Sequence, residues 1–147
     1  MRPNLPAADA ASLTPFVASE TRIQHLIRAG KATPRFLRGV FPFVGHGLFD
    51  LAPLNDDLSY TVPANKTAEV LYVRGGNHSD DLVYFALSAN GSPIRYFPVG
   101  PKADFHVPLA IVEEHPAGTR LDVCLAAPRN LSGTVIVDVG IVEVGAG

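Results

Sequence analysis

The chain is expected to be all-β: an antiparallel β-sandwich of jelly-roll or immunoglobulin-like type with about seven or eight strands. An N-terminal arm and one amphipathic helix should precede it. Three observations point there. The runs 82–88 and 94–99, rich in β-branched and aromatic residues, flank Asn90-Gly91, the dipeptide best suited to the positive φ angles of a type I′ hairpin turn. The segments after it alternate apolar and polar residues with a period of two. Turn signals recur between these short runs at the spacing of a sandwich rather than of a solenoid.

Residues 1–13 are rich in Pro, Ala and Asp without periodicity and read as an extended arm. Thr14-Pro15 offers an N-cap and a first helical position, and Phe16, Ile23, Leu26 and Ile27 recur near helical spacing before Gly30. The segment 14–39 is therefore expected to be a basic helical region, with Thr33-Pro34 opening a second short turn that carries Phe36 and Leu37. The sandwich should occupy 40–147. Within it, 40–54 is a broken edge strand or an entry linker, interrupted by Pro and Gly. Strands follow at 59–62 and 68–74, and 75–81 is a polar loop. The hairpin comes next, then strands at 105–112, 121–127 and 134–144. The last is long and nearly all apolar, which predicts a central position.

If Asn90 and Gly91 are the two turn residues, Leu87, Phe85 and Val83 face Ile94, Tyr96 and Pro98 on one side of the hairpin. Ala86, Tyr84 and Leu82 face Arg95, Phe97 and Val99 on the other. Both faces are then mostly apolar, and such a sheet must be covered twice. A second sheet covers one side. The helix, through Phe16, Ile23, Leu26 and Ile27, or another subunit is expected to cover the other. With Phe16, Ile23, Leu26 and Ile27, the residues Tyr84, Phe97 and Val99 are the candidate interface residues.

At 147 residues with 47% hydrophobic and 18% charged residues, the chain is long enough for one domain with a real core. Its net charge of −2 steers it toward neither nucleic acid nor an acidic surface. Charge is unevenly spread, however. Arg22, Arg28, Lys31, Arg35 and Arg38 lie between residues 19 and 40 with only Glu20 against them, whereas acids outnumber bases beyond residue 40. The basic 22–38 segment could touch nucleic acid, but it lacks the interleaved aromatics of a binding stripe apart from Phe36. A role as a solvated face or as a contact on an acidic body fits it as well. One cysteine, Cys124, excludes an internal disulfide framework and should pack as a small hydrophobe. No apolar run approaches membrane-span length, and no secretory h-region follows Met1, so a cytoplasmic address, or a particle assembled in the cytoplasm, is expected. The Asn-x-Ser/Thr triplets at Asn65, Asn77, Asn90 and Asn130 then read as turn asparagines rather than glycan sites.

The densest polar cluster is the 74–81 loop, where Arg74, Asn77, His78, Asp80 and Asp81 form a candidate ligand site for a sugar or Ca²⁺. It supplies fewer oxygens than calcium takes and has no EF-hand spacing. His25, His46, His78, His106 and His115 are scattered, without zinc spacing, so no metal or other cofactor is expected. Ser79 has His78 and Asp80 as neighbours, but adjacent residues of an extended chain point to opposite faces and make no triad. The acidic doublets Asp56-Asp57, Asp80-Asp81 and Glu113-Glu114 fall in expected loops.

These readings predict a non-catalytic structural or assembly protein. It would oligomerise, or dock in a larger particle such as a shell, through an apolar sheet face and its arm. The alternative is a carbohydrate- or small-ligand-binding module that uses the 74–81 loop.

Overall fold

The computed structural model describes residues 15–145, with side chains within the helix described from Arg22 onward. The chain divides into two compact units, Met1–Thr33 and Pro34–Gly147. In the first, α1 spans Pro15–Arg28 and ends in Ala29-Gly30, where Gly30 takes a positive φ of 71°. Ile23, Leu26 and Ile27 are half-buried and lie three or four residues apart on α1, as expected. The 1–13 arm and the Phe16 side chain lie outside the described residues.

The second unit is a sandwich of two five-stranded sheets. Its strands are β1 (Ala32–Val44), β2 (Gly47–Pro53), β3 (Ser59–Thr61), β4 (Lys66–Asn77), β5 (Val83–Ala89), β6 (Ser92–Val99), β7 (Asp104–Pro108), β8 (Glu114–His115), β9 (Arg120–Ala127) and β10 (Ser132–Gly145). One sheet, here sheet A, runs β1-β10-β4-β7, with β8 also paired to β4. The other, sheet B, runs β2-β9-β5-β6, with β3 also paired to β9. The first strand therefore lies beside the last, and the second beside the ninth. That nesting is the double Greek key of a jelly roll, which decides between the two sandwich types expected. As its apolar pattern predicts, β10 is central. The inner faces meet in one core that includes Val73, Phe85, Leu87, Leu121, Val123, Val135, Val137 and Val139.

Three expectations are corrected. The segment 14–39 is not helical throughout: from Ala32 the chain is strand, and no helical turn follows Thr33-Pro34. Leu37, Phe41 and Phe43 are buried while Phe36, Arg38, Val40, Pro42 and Val44 are exposed, a period of two that places β1 at the sheet edge. Of the five cations of 22–38, Arg22 and Arg28 lie on α1, Lys31 in the bend that follows it, and Arg35 and Arg38 on the next strand. Secondly, Gly75, Gly76 and Asn77 belong to β4 rather than to a loop.

The third correction concerns the hairpin. Asn90 and Gly91 form its turn, with φ of 51° and 84°. Ala89 pairs with Ser92 and Ser88 with Pro93, as a two-residue turn requires, but a bulge then shifts the register by one. Phe85 faces Phe97 and Val83 faces Val99. Phe97 and Val99 therefore point inward and are 7% and 4% exposed, so they belong to the core and not to an outer interface. The Phe97 ring stacks on Phe105 at 5.2 Å, and Tyr96 takes the outer position, 59% exposed. Burying Phe and leaving the Tyr hydroxyl to water is the favourable choice between neighbours.

Glu143 of β10 links the two sheets. Its carboxylate accepts hydrogen bonds from Tyr60 Oη at 2.6 Å and Arg35 Nε at 3.2 Å, joining β3 of sheet B to β1 and β10 of sheet A. Burial opposes its charge, but the hydrogen bonds from Tyr60 and Arg35 prevail and hold the carboxyl below its ordinary value of 4.5. A depressed carboxylate stabilises the fold above the unfolded-state value and ceases to do so as pH falls through the folded-state value. Glu143→Gln should therefore lower stability by about 1–3 kcal/mol at neutral pH. In urea melts the gap from the parent should narrow below pH 4.5. A gap that does not change with pH would show that the carboxylate charge contributes nothing.

Candidate functional site

The outer face of sheet A carries the densest polar surface. On β4, Tyr72, Arg74 and Gly76 lie between β10 and β7. Tyr72 pairs with Gly140 and Pro108, Arg74 with Asp138 and His106, and Gly76 with Ile136 and Asp104. Tyr72 lies over Gly140, donates its hydroxyl to Asp138 Oδ1 at 3.0 Å and meets the His106 ring edge-on at 5.9 Å. Burial raises the Tyr72 pKa, and the bond to Asp138 raises it further. The phenol therefore stays a donor. Arg74 Nη1 is 3.7 Å from Asp138 Oδ2.

Beside this layer lies a groove of about 430 Å³, with Gly76 in its lining beside Arg74, His78, Lys102, Asp104 and Ile136. Lys102 Nζ donates to the His78 carbonyl at 2.9 Å and pairs with Asp80 at 3.3 Å. Of the expected ligand-loop residues, Arg74, Asn77 and His78 line this groove, but the Asn77 side chain is taken up by other parts of the chain. Asn77 is 1% exposed: its amide donates to the carbonyls of Asp81, Val99 and Gly100, and its Oδ1 accepts from the Ser79 N–H and hydroxyl. Asn77 is a clamp that ties the end of β4 to β6 and the following loop. Asp81 accepts from the Leu82 N–H at 2.7 Å. Ser79 is 3% exposed with its hydroxyl spent on Asn77, which gives it no nucleophilic role.

Asp104, His106, Asp138 and Ile136 were not in the expected set. They stand far from Arg74 in sequence and reach it only through strand pairing. The signal available was alternation, since Asp138 falls on the outward parity of an otherwise apolar strand. Among the described residues, no group of three or more His, Cys, Asp or Glu is arranged to hold a metal ion, and no helix is long and apolar enough to cross a membrane.

The turn reading holds for three of the four sequon asparagines: Asn65, Asn90 and Asn130 have φ of 62°, 51° and 67°. Cys124, 7% exposed, lies beside Ser88 Oγ at 3.6 Å, and burial pushes its thiol pKa up. Tyr84, another of the interface candidates, is half-buried on the outer face of sheet B beside Tyr96, with 6.2 Å between ring centroids.

Two consequences are measurable. Asn77→Ala leaves carbonyls and a hydroxyl without their partner and should lower stability by roughly 1–3 kcal/mol in denaturant melts. A variant as stable as the parent would mean that water replaces the clamp. Cys124 should react with an aromatic disulfide reagent only on unfolding. Rapid labelling of the native protein would place the thiol at the surface instead.

No protein-family model and no curated protein matches the sequence. Two of the solved structures that resemble the chain in architecture illustrate the likeness. One is the CBM36-1 domain of a multidomain xylanase from the hindgut metagenome of Trinervitermes trinervoides, 15% identical with a TM-score of 0.45 over 78% of this chain and 99% of that one. The other is a Bacillus endospore appendage protein of a family of disulfide-linked pili, 10% identical with a TM-score of 0.43 over 80% and 93%. At these identities the likeness is one of β-sandwich fold alone.

Proposed function

We propose that the protein is a non-catalytic assembly subunit that pairs with a second copy of itself along the free edge of sheet A. The observation that carries this reading is β1. It is an edge strand of 13 residues whose outward side chains include Phe36, Val40 and Val44, exposed by 46%, 65% and 57%. Long apolar edges invite another strand and are usually blunted.

Backbone parity supports pairing between copies. Gly45, just past β1, gives its N–H to Leu131 and accepts from Asn130, so odd-numbered positions bond toward β10. The even-numbered positions of β1 then direct their N–H and C=O groups away from the sheet. Pro34 and Pro42 share that parity and lack the N–H. An antiparallel two-fold centred on Arg38 would set arginine against arginine and Pro34 against Pro42. Centred on Val40, it sets Phe36 against Val44, Val40 against Val40 and Arg38 against Pro42. The second register removes the like-charge clash, matches apolar pairs and forfeits only the bonds that Pro42 cannot donate. Arg38 lies over the Phe36 ring at 4.9 Å, which lets its stem cover apolar surface.

Light scattering across a concentration series should give a dimer mass. Val40→Lys, at an exposed position, should leave the melting temperature within a few degrees and yield monomer, because two ammonium groups then face each other across the axis. A single-subunit mass at every concentration, or a dimer indifferent to the lysine, sinks the reading.

A further inference from the structure

Gly76 lies in the interior of sheet A at a position that packing does not explain. Three other strand glycines have a reason to lack a side chain. A Cβ on Gly75 would lie 2.6 Å from the Phe105 ring, one on Gly133 would lie 2.9 Å from the Phe43 ring, and one on Gly140 would meet the Tyr72 ring. At Gly76 the nearest atoms would be the Cβ atoms of Asp104 and Ile136, each at 3.9 Å, and no positive φ calls for glycine. Glycine within a strand costs conformational entropy and forgoes packing, and it recurs where a ligand must approach the backbone. Here the missing side chain leaves room in the groove.

We infer that this groove is a binding site for a neutral saccharide, with Gly76 as its floor. The volume of about 430 Å³ falls in the ~300–1,000 Å³ range of small-ligand clefts. The formal charges around it balance: Arg74 and Lys102 against Asp104 and Asp138. An anionic ligand would meet the two carboxylates and a cationic one the two cations. An uncharged polyol meets neither penalty and can use both signs, since each of its hydroxyls donates and accepts. Ile136, 45% exposed, offers the apolar contact that the C–H face of a pyranose ring needs. Arg74 and Asp138 are already oriented, the carboxylate by Tyr72 and the guanidinium by the carboxylate. Their placement asks little further ordering on binding.

The test is an array of neutral α- and β-linked gluco-, galacto-, manno- and xylo-oligosaccharides with sulfated counterparts, alongside pull-down on the corresponding insoluble polysaccharides. Gly76→Val raises the floor, its Cβ in ordinary contact with its neighbours, and places a strand-favouring side chain in β4, so it should fold about as stably as the parent. The parent should retain at least one neutral saccharide class. Gly76→Val should bind it at least tenfold more weakly at an unchanged melting temperature, and Asp104→Asn should weaken it in the same assay. Retention on the array identifies a free oligosaccharide ligand, and retention on the solid alone identifies a polymer surface. Three results overturn the inference: no neutral saccharide retained in either format, retention of sulfated glycans only, or equal retention by Gly76→Val. The inference stands apart from self-association, because Val40→Lys leaves every groove residue in place and should bind as the parent does.

Discussion

Every surface considered on sheet A depends on the insertion of β10 between β1 and β4. Arg74 would have no Asp138 beside it, and Gly76 no Ile136, without a strand that arrives some sixty residues later in the chain. The same strand turns β1 from a loose leader into an edge, because among the described residues β1 has no other strand partner. Pairings of such long sequence separation are costly to close and pay back only once made. The apolar inner face of β10, with Val135, Val137, Val139 and Ile141 all 1% exposed or less, supplies the burial that offsets the cost.

Two polar devices then fix what apolar burial leaves free. Apolar contact alone tolerates sliding of one sheet over the other, whereas Glu143 accepts from Tyr60 and Arg35 only at one relative position of β3, β1 and β10. Asn77 acts likewise at the end of β4 that carries the groove, because its five hydrogen bonds bind the 78–81 loop and the end of β6 to that strand. A clamp of this kind is why His78 and Lys102 have defined positions although they lie in connecting segments.

The sequence carried the architecture through local signals and failed where long-range packing decided. The Asn90-Gly91 turn was legible because that dipeptide is the best suited to its φ angles, and β10 was legible as central because both its faces are mostly apolar. The hairpin register was not, since a bulge leaves no mark in the residue pattern around Leu87 and Ser88. One clue existed: of the neighbours Tyr96 and Phe97, the ring without a hydroxyl is the better core residue. Gly75-Gly76 misled in a similar way. Paired glycines among polar residues suggest a turn, but here one gives way to the Phe105 ring and the other opens onto the groove. Asn77 was taken for a ligand residue because a polar side chain near a loop reads as solvent-facing until its carbonyl partners, more than twenty residues away, are in place.

The outer face of sheet A thus carries two kinds of surface, and their order across the sheet follows from physical chemistry. The apolar residues lie on the terminal strand, where the unpaired backbone is also found. A partner that supplies a strand there satisfies main-chain groups and covers Phe36, Val40 and Val44 in the same step. The charged residues lie on β4, β10 and β7; β4 and β10 have strand partners on both sides, whereas β7 is the opposite edge of the sheet among the described strands. The groove reaches the β7 edge through Asp104 and His106, at the opposite side of the sheet from β1. The proposed dimer would place a neighbour on β1, two strands from Gly76, and leave the groove uncovered.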